Sequence, residues 1–218
     1  MEQLTELLTG TKIPVGKTAK ALFDWLNLHA AAFFNFISGF LDGLIGAILK
    51  VLEFPHPLVF TALTVALTWV LQRSWQTCLL IALGFLFILN QGYWEETMQS
   101  LTLVLSACVV CMAIGVPIGI AAAHRPRLYA WMRPVLDLMQ TLPTFVYLIP
   151  AIVFFGIGMV PGLIATVIFV LPAPIRLTHL GVSSTPMALL EAATAFGATP
   201  RQILATFMVQ GCFIGVVG

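Results

Sequence analysis

Residues 184–204 read STPMALLEAATAFGATPRQIL. They break the character of a chain that is apolar almost everywhere before them. Thr185-Pro186 reads as a helix N-cap followed by proline at the first helical position. The helix predicted over 186–196 ends at Gly197, a residue suited to the left-handed conformation that closes helices. Thr199-Pro200 opens a second helix, and Gln202, three residues after Thr199, completes a capping box. Two short helices therefore meet at Gly197 almost without a linker, as a rigid elbow. Leu189, Ala192, Ala193 and Phe196 recur at spacings of three and four and share one face of the first helix. The two alanines keep that face shallow, which suits close docking of another protein. An ordinary helical hairpin that returns the chain to a membrane has the same pattern, and periodicity alone leaves both readings open.

The rest of the chain sets the solvent. Of 218 residues, 60% are hydrophobic and 9% charged, with mean hydropathy +1.01. A water-soluble domain carries about 25% charged residues, so the bulk solvent here is a lipid bilayer. The net charge of +1 creates no field that would attract nucleic acid. Cys108 and Cys111 form a C-x-x-C inside a long apolar stretch. No third ligand stands nearby, so they read as packing groups rather than a metal or redox site. Residues 1–18 are polar and lack a cleavable signal. Within them GTKIPVGKT places five residues between Gly10 and Gly16, where a phosphate loop needs four. No catalytic, metal or nucleotide site is evident, so any ATP used is bound by another chain.

Residues 19–53 read as a helix interrupted by Asp24, Asn27, His29, Asn35, Asp42 and Lys50. Its aromatic side, with Trp25, Phe33, Phe34, Phe36 and Phe40, suits either a position in the membrane interface or a span over 30–49. The FPHP at 54–57 stops it. Five spans follow, over 58–72, 76–92, 98–123, 134–156 and 161–180. The first is short and needs Trp69 and Arg73 to anchor one end. Gly115, Pro117 and Gly119 lie inside the third span, Pro143 and Pro150 inside the fourth, and Pro172 and Pro174 near the end of the fifth. Proline in a spanning helix frees carbonyls, and such breaks serve either as pathway linings or as packing kinks. Arg125, Arg127 and Arg133 place the loop 124–133 in the cytoplasm. Two further spans return residues 184–204 to that same side. The division is then 1–57 as tail and interfacial helix, 58–94 as two N-terminal spans, and 95–218 as a core carrying the elbow 184–204.

EAATAFG, Glu191 to Gly197, resembles the signature of the permease subunits of binding-protein-dependent ABC importers: Glu-Ala-Ala, three residues, then Gly. The resemblance implies an all-α multi-pass bundle of the type I importer kind in a bacterial inner membrane. It gives Glu191, Ala192, Ala193 and Gly197 the role of docking on a separate ATPase subunit, which holds the ATP. Residues 139–181, MQTLPTFVYLIPAIVFFGIGMVPGLIATVIFVLPAPIRLTHLG, are similar to the quaternary ammonium branch, the importers of glycine betaine, proline betaine and choline. That branch implies a periplasmic or surface-tethered binding protein and a second permease copy as partners. The family also expects a leucine-proline pair after the elbow. This chain has Phe207-Met208-Val209-Gln210 there and stops at Gly218, from which a fragment or a prematurely ended product is expected.

Quaternary ammonium ions donate no hydrogen bond and are held by aromatic faces. Phe145 and Tyr147, beside Pro143 and Pro150, are the candidates for lining the route; packing is the competing role for them. Asp137 either meets a passing cation or pairs with Arg133, at the i,i+4 position. A secondary carrier would need a buried acid or base in mid-bilayer, and the central spans have none. A non-transporting scaffold, the other alternative, is separated from a permease by uptake.

Overall fold

The computed structural model describes residues 15–199 and Gln202. Among them all regular structure is helical: α1 Val15–Glu53, α2 Pro57–Gln72, α3 Trp75–Gln91, α4 Trp94–His124, α5 Pro126–Thr141, α6 Thr144–Phe155, α7 Met159–Val170, α8 Pro172–Ser183 and α9 Met187–Ala195. The chain forms two compact units, residues 1–41 and 42–218, and α1 runs through the boundary. In the first unit Trp25 stacks on His29, with ring centroids 4.8 Å apart. The 25 residues His29–Glu53 are long and apolar enough to cross a membrane.

In the second unit α2 and α3 form a hairpin. His56 Nδ1 accepts from the Leu58 N–H at the start of α2, and Arg73 closes it in the left-handed region at φ 48°. Ser74 caps α3 at once, and the two helices pack along each other. Phe60, Phe85 and Trp94 pack ring to ring, with centroids 5.6–6.2 Å apart, and tie the hairpin to the first turn of α4. The two helices have 16 and 17 residues. At ~1.5 Å per residue they fall short of a ~30 Å hydrocarbon core. They are thus shorter apolar helices rather than the full spans expected over 58–72 and 76–92.

The centre of the unit is α4, a helix of 31 residues. Met98, Thr102, Ser106, Cys111, Gly115, Gly119 and Ala122 are buried along it. Steps mostly of four residues keep them in one stripe. α8 has its most extensive contact with this stripe, and α7 also packs on it. The thiol of Cys111 donates to the Val167 carbonyl at 3.8 Å, a packing role. Where α8 crosses, the backbones come very close. A Cβ added at Gly115 would lie 2.8 Å from Cγ of Pro174; one at Gly119 would lie 2.6 Å from Cβ of Thr178 and 2.8 Å from the Ile175 carbonyl oxygen. In lipid, such small-residue contacts carry helix association, because the apolar side chains gain nothing by leaving the hydrocarbon.

The expected fourth span, 134–156, is not one helix. α5 begins at Pro126, so most of the expected loop 124–133 is helical, and α5 and α6 meet at 91°. The break lies at Leu142-Pro143. The ring of Pro143 crowds the residue before it out of the helical region, and Leu142 sits extended at φ −81°, ψ 137°. α6 returns as α7 through Gly156, Ile157 and Gly158, with Gly156 at φ 79°. α7 then runs on into α8 through Leu171, which keeps helical angles, so Met159–Ser183 forms one 25-residue span. Pro172 does not end it, because it occupies the first position of α8, where no N–H is needed.

Two alanine substitutions test the α4–α8 contact with the same chemistry. In a helix interior Gly→Ala gains about 0.5–1 kcal/mol. At Gly84, where an added Cβ meets nothing within 4 Å, that gain should appear as an unchanged or higher thermal midpoint in detergent. At Gly119 the clash should outweigh it by about 1–3 kcal/mol and lower the midpoint. Equal midpoints for the two variants would show that the close crossing is absent.

Candidate functional site

α8 leads into the elbow through Ser184–Pro186. The N-cap expected at Thr185 does not form: its hydroxyl donates backward to the Gly181 carbonyl at 3.2 Å. Threonine hydroxyls compete for the carbonyl four residues behind, so Thr185 closes α8 instead of opening α9. α9 starts at Met187, one residue later than expected, with Pro186 extended in the N-cap position at ψ 132°. The other end follows the sequence closely. Gly197 is left-handed at φ 77°. Its N–H donates to the Thr194 carbonyl, and the N–H of Ala198 donates to that of Ala193, both at 3.0 Å. These two bonds form the Schellman closure, which needs a residue free of Cβ strain at that point. The Thr199 N–H donates to Oε1 of Gln202 at 2.8 Å, and the Gln202 N–H to the Thr199 hydroxyl at 3.4 Å, as a capping box requires. Pro200, Arg201 and residues 203–218, which carry the rest of the expected second helix, lie outside the described residues.

On the elbow Glu191, Ala192 and Gly197 are exposed and Ala193 is half-buried. Phe196 is 92% exposed. The side chain of Leu189, the fourth member of the expected face, lies outside the described residues. Ala192, Phe196 and Gly197 thus expose a small apolar step, with Ala193 half-buried beside it and Glu191 on α9 as its charge.

Just before the elbow, α8 is tied to α5 at two points. Arg176 makes an ion pair with Asp137 through Nη2 and Oδ1, with side chains 33% and 58% exposed. The ring of His179 lies flat on Tyr129, centroids 3.6 Å apart and planes 8° from parallel. The partner expected for Asp137 was Arg133. A basic residue N-terminal to its acid is the weaker order for an i,i+4 pair, and the α5–α8 crossing brings a second guanidinium to Asp137. So exposed a pair adds only about 0–1 kcal/mol to stability. In the sequence Arg176 marks only the basic flank of the cytoplasmic segment, without a partner, and Tyr129 has no role. The available signal was a lone arginine inside an otherwise apolar helix, a costly placement that calls for a partner.

The residues expected to line a route separate at the α5–α6 corner. Tyr147 reaches back across the break, and its hydroxyl donates to the carbonyls of Met139 at 3.2 Å and Leu138 at 3.5 Å. It therefore satisfies the Met139 carbonyl, which Pro143 leaves without an N–H donor, while the Leu138 carbonyl also accepts from the Leu142 N–H. Phe145 is 72% exposed, Pro143 is exposed as the residue preceding α6, and Pro150 is half-buried within α6. The structure brings Tyr147 and Pro143 to the corner and leaves Phe145 on the outer surface of this single copy. Among the described residues no three His, Cys, Asp or Glu side chains gather as a metal site.

Residues 115–209, which run from the glycines of α4 through the elbow, match the family described as binding-protein-dependent transport system inner membrane component. The glycine betaine transport system permease OpuAB of Bacillus subtilis is 40% identical over 91% of this chain and 70% of its own length. The glycine betaine/carnitine permease GbuB of Listeria monocytogenes is 42% identical over 88% and 69%. The glycine betaine/proline betaine permease ProW of Escherichia coli is 39% identical over 92% of this chain and 56% of its own length. Such subunits work with an ATPase and a substrate-binding partner and are not themselves enzymes. The chain belongs to the inner-membrane permease subunits of binding-protein-dependent ABC importers, as a multi-pass protein.

Proposed function

We propose that this chain forms the membrane pathway of an ATP-driven importer of quaternary ammonium osmolytes, with glycine betaine the first substrate to test. The identity to OpuAB, GbuB and ProW supports this. Their names point to betaines and carnitine, which places betaines ahead of choline as substrates. ATP is held by the partner ATPase, a second copy of the permease completes the pathway, and a binding protein delivers the substrate. Arg125, Arg127 and Arg133 argue for a cytoplasmic position of the α4–α5 turn and of the elbow.

The observation that carries the docking role is the build of the elbow. A short helix closed by a Schellman turn at Gly197 and followed at once by a capping box holds Phe196 and Ala192 outward on a rigid support. An outward apolar step on a rigid support suits a covering partner, and the ATPase is the partner the family supplies. Glu191, Ala192, Ala193 and Gly197 meet it. At the corner, Tyr147 has its hydroxyl engaged by backbone carbonyls, which leaves its ring face for a trimethylammonium group.

Retention of the cognate ATPase by the tagged permease in detergent checks the docking role. The parent chain should retain it. The Gly197→Leu, Ala193→Glu double variant should bind at least about tenfold more weakly, because it strains the left-handed turn and buries an unpaired carboxylate. Equal retention would overturn the docking role. For the pathway, Tyr147→Leu should raise the KM for glycine betaine uptake several-fold, in line with the ~0.5–2 kcal/mol of a cation–aromatic contact. Tyr147→Phe should leave KM in place and lower the thermal midpoint by the loss of one hydrogen bond, about 1 kcal/mol. A KM unchanged in Tyr147→Leu would remove this residue from the pathway.

A further inference from the structure

α8 has two working sides. Pro174, Ile175 and Thr178 seat on the glycines of α4. Arg176 and His179, three residues apart, reach α5. The pairing is antiparallel: His179, near the elbow end of α8, lies on Tyr129 at the start of α5, while Arg176, further from the elbow, meets Asp137 towards the end of α5. Beyond Asp137 come four residues of helix and then the right-angled corner that Tyr147 holds. Between α5 and the elbow the only chain is α6, α7 and α8 itself, a long detour that includes the turn at Gly156.

The Asp137–Arg176 pair is too exposed to matter much for stability. Its effect is geometric instead. With a ring stack at one end and an ion pair at the other, α5 is held to α8 at two points that resist rolling and sliding. We propose that Asp137 and Arg176, with the Tyr129–His179 stack, are positioning residues that make α5 move with α8, so that displacement of the elbow by the ATPase reaches the corner at Leu142-Pro143. This rests on the importer reading above. The two clamps couple the site of the push to the site of the passage through α5 directly.

The experiment uses the assembled transporter in lipid vesicles, with its ATPase and binding protein, and reads ATP hydrolysed per radiolabelled glycine betaine taken up. Asp137→Asn and Arg176→Met should each raise that ratio at least about fivefold, the scale of an ordinary coupling between two sites. The double variant should be no worse than either single one, because the two groups act as one unit. Arg176→Lys, which keeps the charge, should recover part of the coupling. Tyr129→Leu tests the second clamp and should raise the ratio by itself. Should Arg176→Met fail to assemble, Asp137→Asn, which keeps the side-chain volume, carries the test. A residue that merely supports the fold would lower hydrolysis and uptake together. Variants that keep the parent's ratio would therefore overturn the relay while the importer reading stands. A parent assembly without betaine-dependent hydrolysis would overturn the importer reading and the relay with it.

Discussion

The close crossing of α4 and α8 is the constraint on which the rest of the second unit depends. In a bilayer an apolar side chain is as well solvated by lipid as by another helix, so area burial alone brings no two helices together. What remains is contact density, which grows as backbones approach. Gly115 and Gly119, one turn apart on α4, remove the side chains that would hold α8 away, and Pro174, Ile175 and Thr178 fill the space. Once α8 is seated, α7 is placed as its continuation through Leu171, α6 returns against α7, and α5 is held by Asp137–Arg176 and Tyr129–His179. Few charged residues were available to build this unit, and among the described ones Asp137 and Arg176 pair across helices.

The second constraint is the backbone itself. Every carbonyl freed by a break in lipid needs a donor. Within the helices the threonine hydroxyls spend their own donors locally: Thr61, Thr64, Thr68, Thr102 and Thr166 each donate to the carbonyl one turn behind. At the largest break the donor is Tyr147, eight residues away from the carbonyl it meets. That bond supplies a donor to the carbonyl that Pro143 leaves without one, beside a bend of 91°. Ser106 is buried on α4, and its hydroxyl has no partner among the described residues; nothing in the structure explains it.

Features set by neighbouring residues were legible in the sequence. Gly197 as a left-handed helix stop and Thr199 with Gln202 as a capping box both need only local chemistry, and both formed as read. The all-helical architecture follows from composition and periodicity in the same way. Proline positions were legible as punctuation but not as geometry. Pro143 marked a break, yet nothing local fixed a bend of 91°, because the angle depends on what α5 and α6 pack against. Pro172 looked much the same and bent nothing, since it fell where a helix could restart. Thr185 shows the remaining ambiguity: one hydroxyl had two carbonyl-and-amide choices within reach, and the backward one won. The partner of Asp137 was missed for a different reason. A nearby arginine in sequence suggested a local pair, while the true partner is 39 residues away and is found only when the helices cross.

These differences separate stiff parts of the chain from compliant ones. α7 and α8 keep helical angles through their junction and end in an elbow closed on one side by a Schellman turn and on the other by a capping box, so this path has no soft joint until Ser184. The α5–α6 corner is the opposite case: an extended Leu142, a proline without a donor, and a single tyrosine bridging the gap. A displacement that reaches α8 is carried along the stiff path as far as the corner, where the chain is least restrained. A transport subunit needs that distribution, rigidity towards the partner that pushes and compliance where a passage opens and closes. In this chain it arises from where glycine and proline fall relative to helix ends rather than from any difference in helix composition.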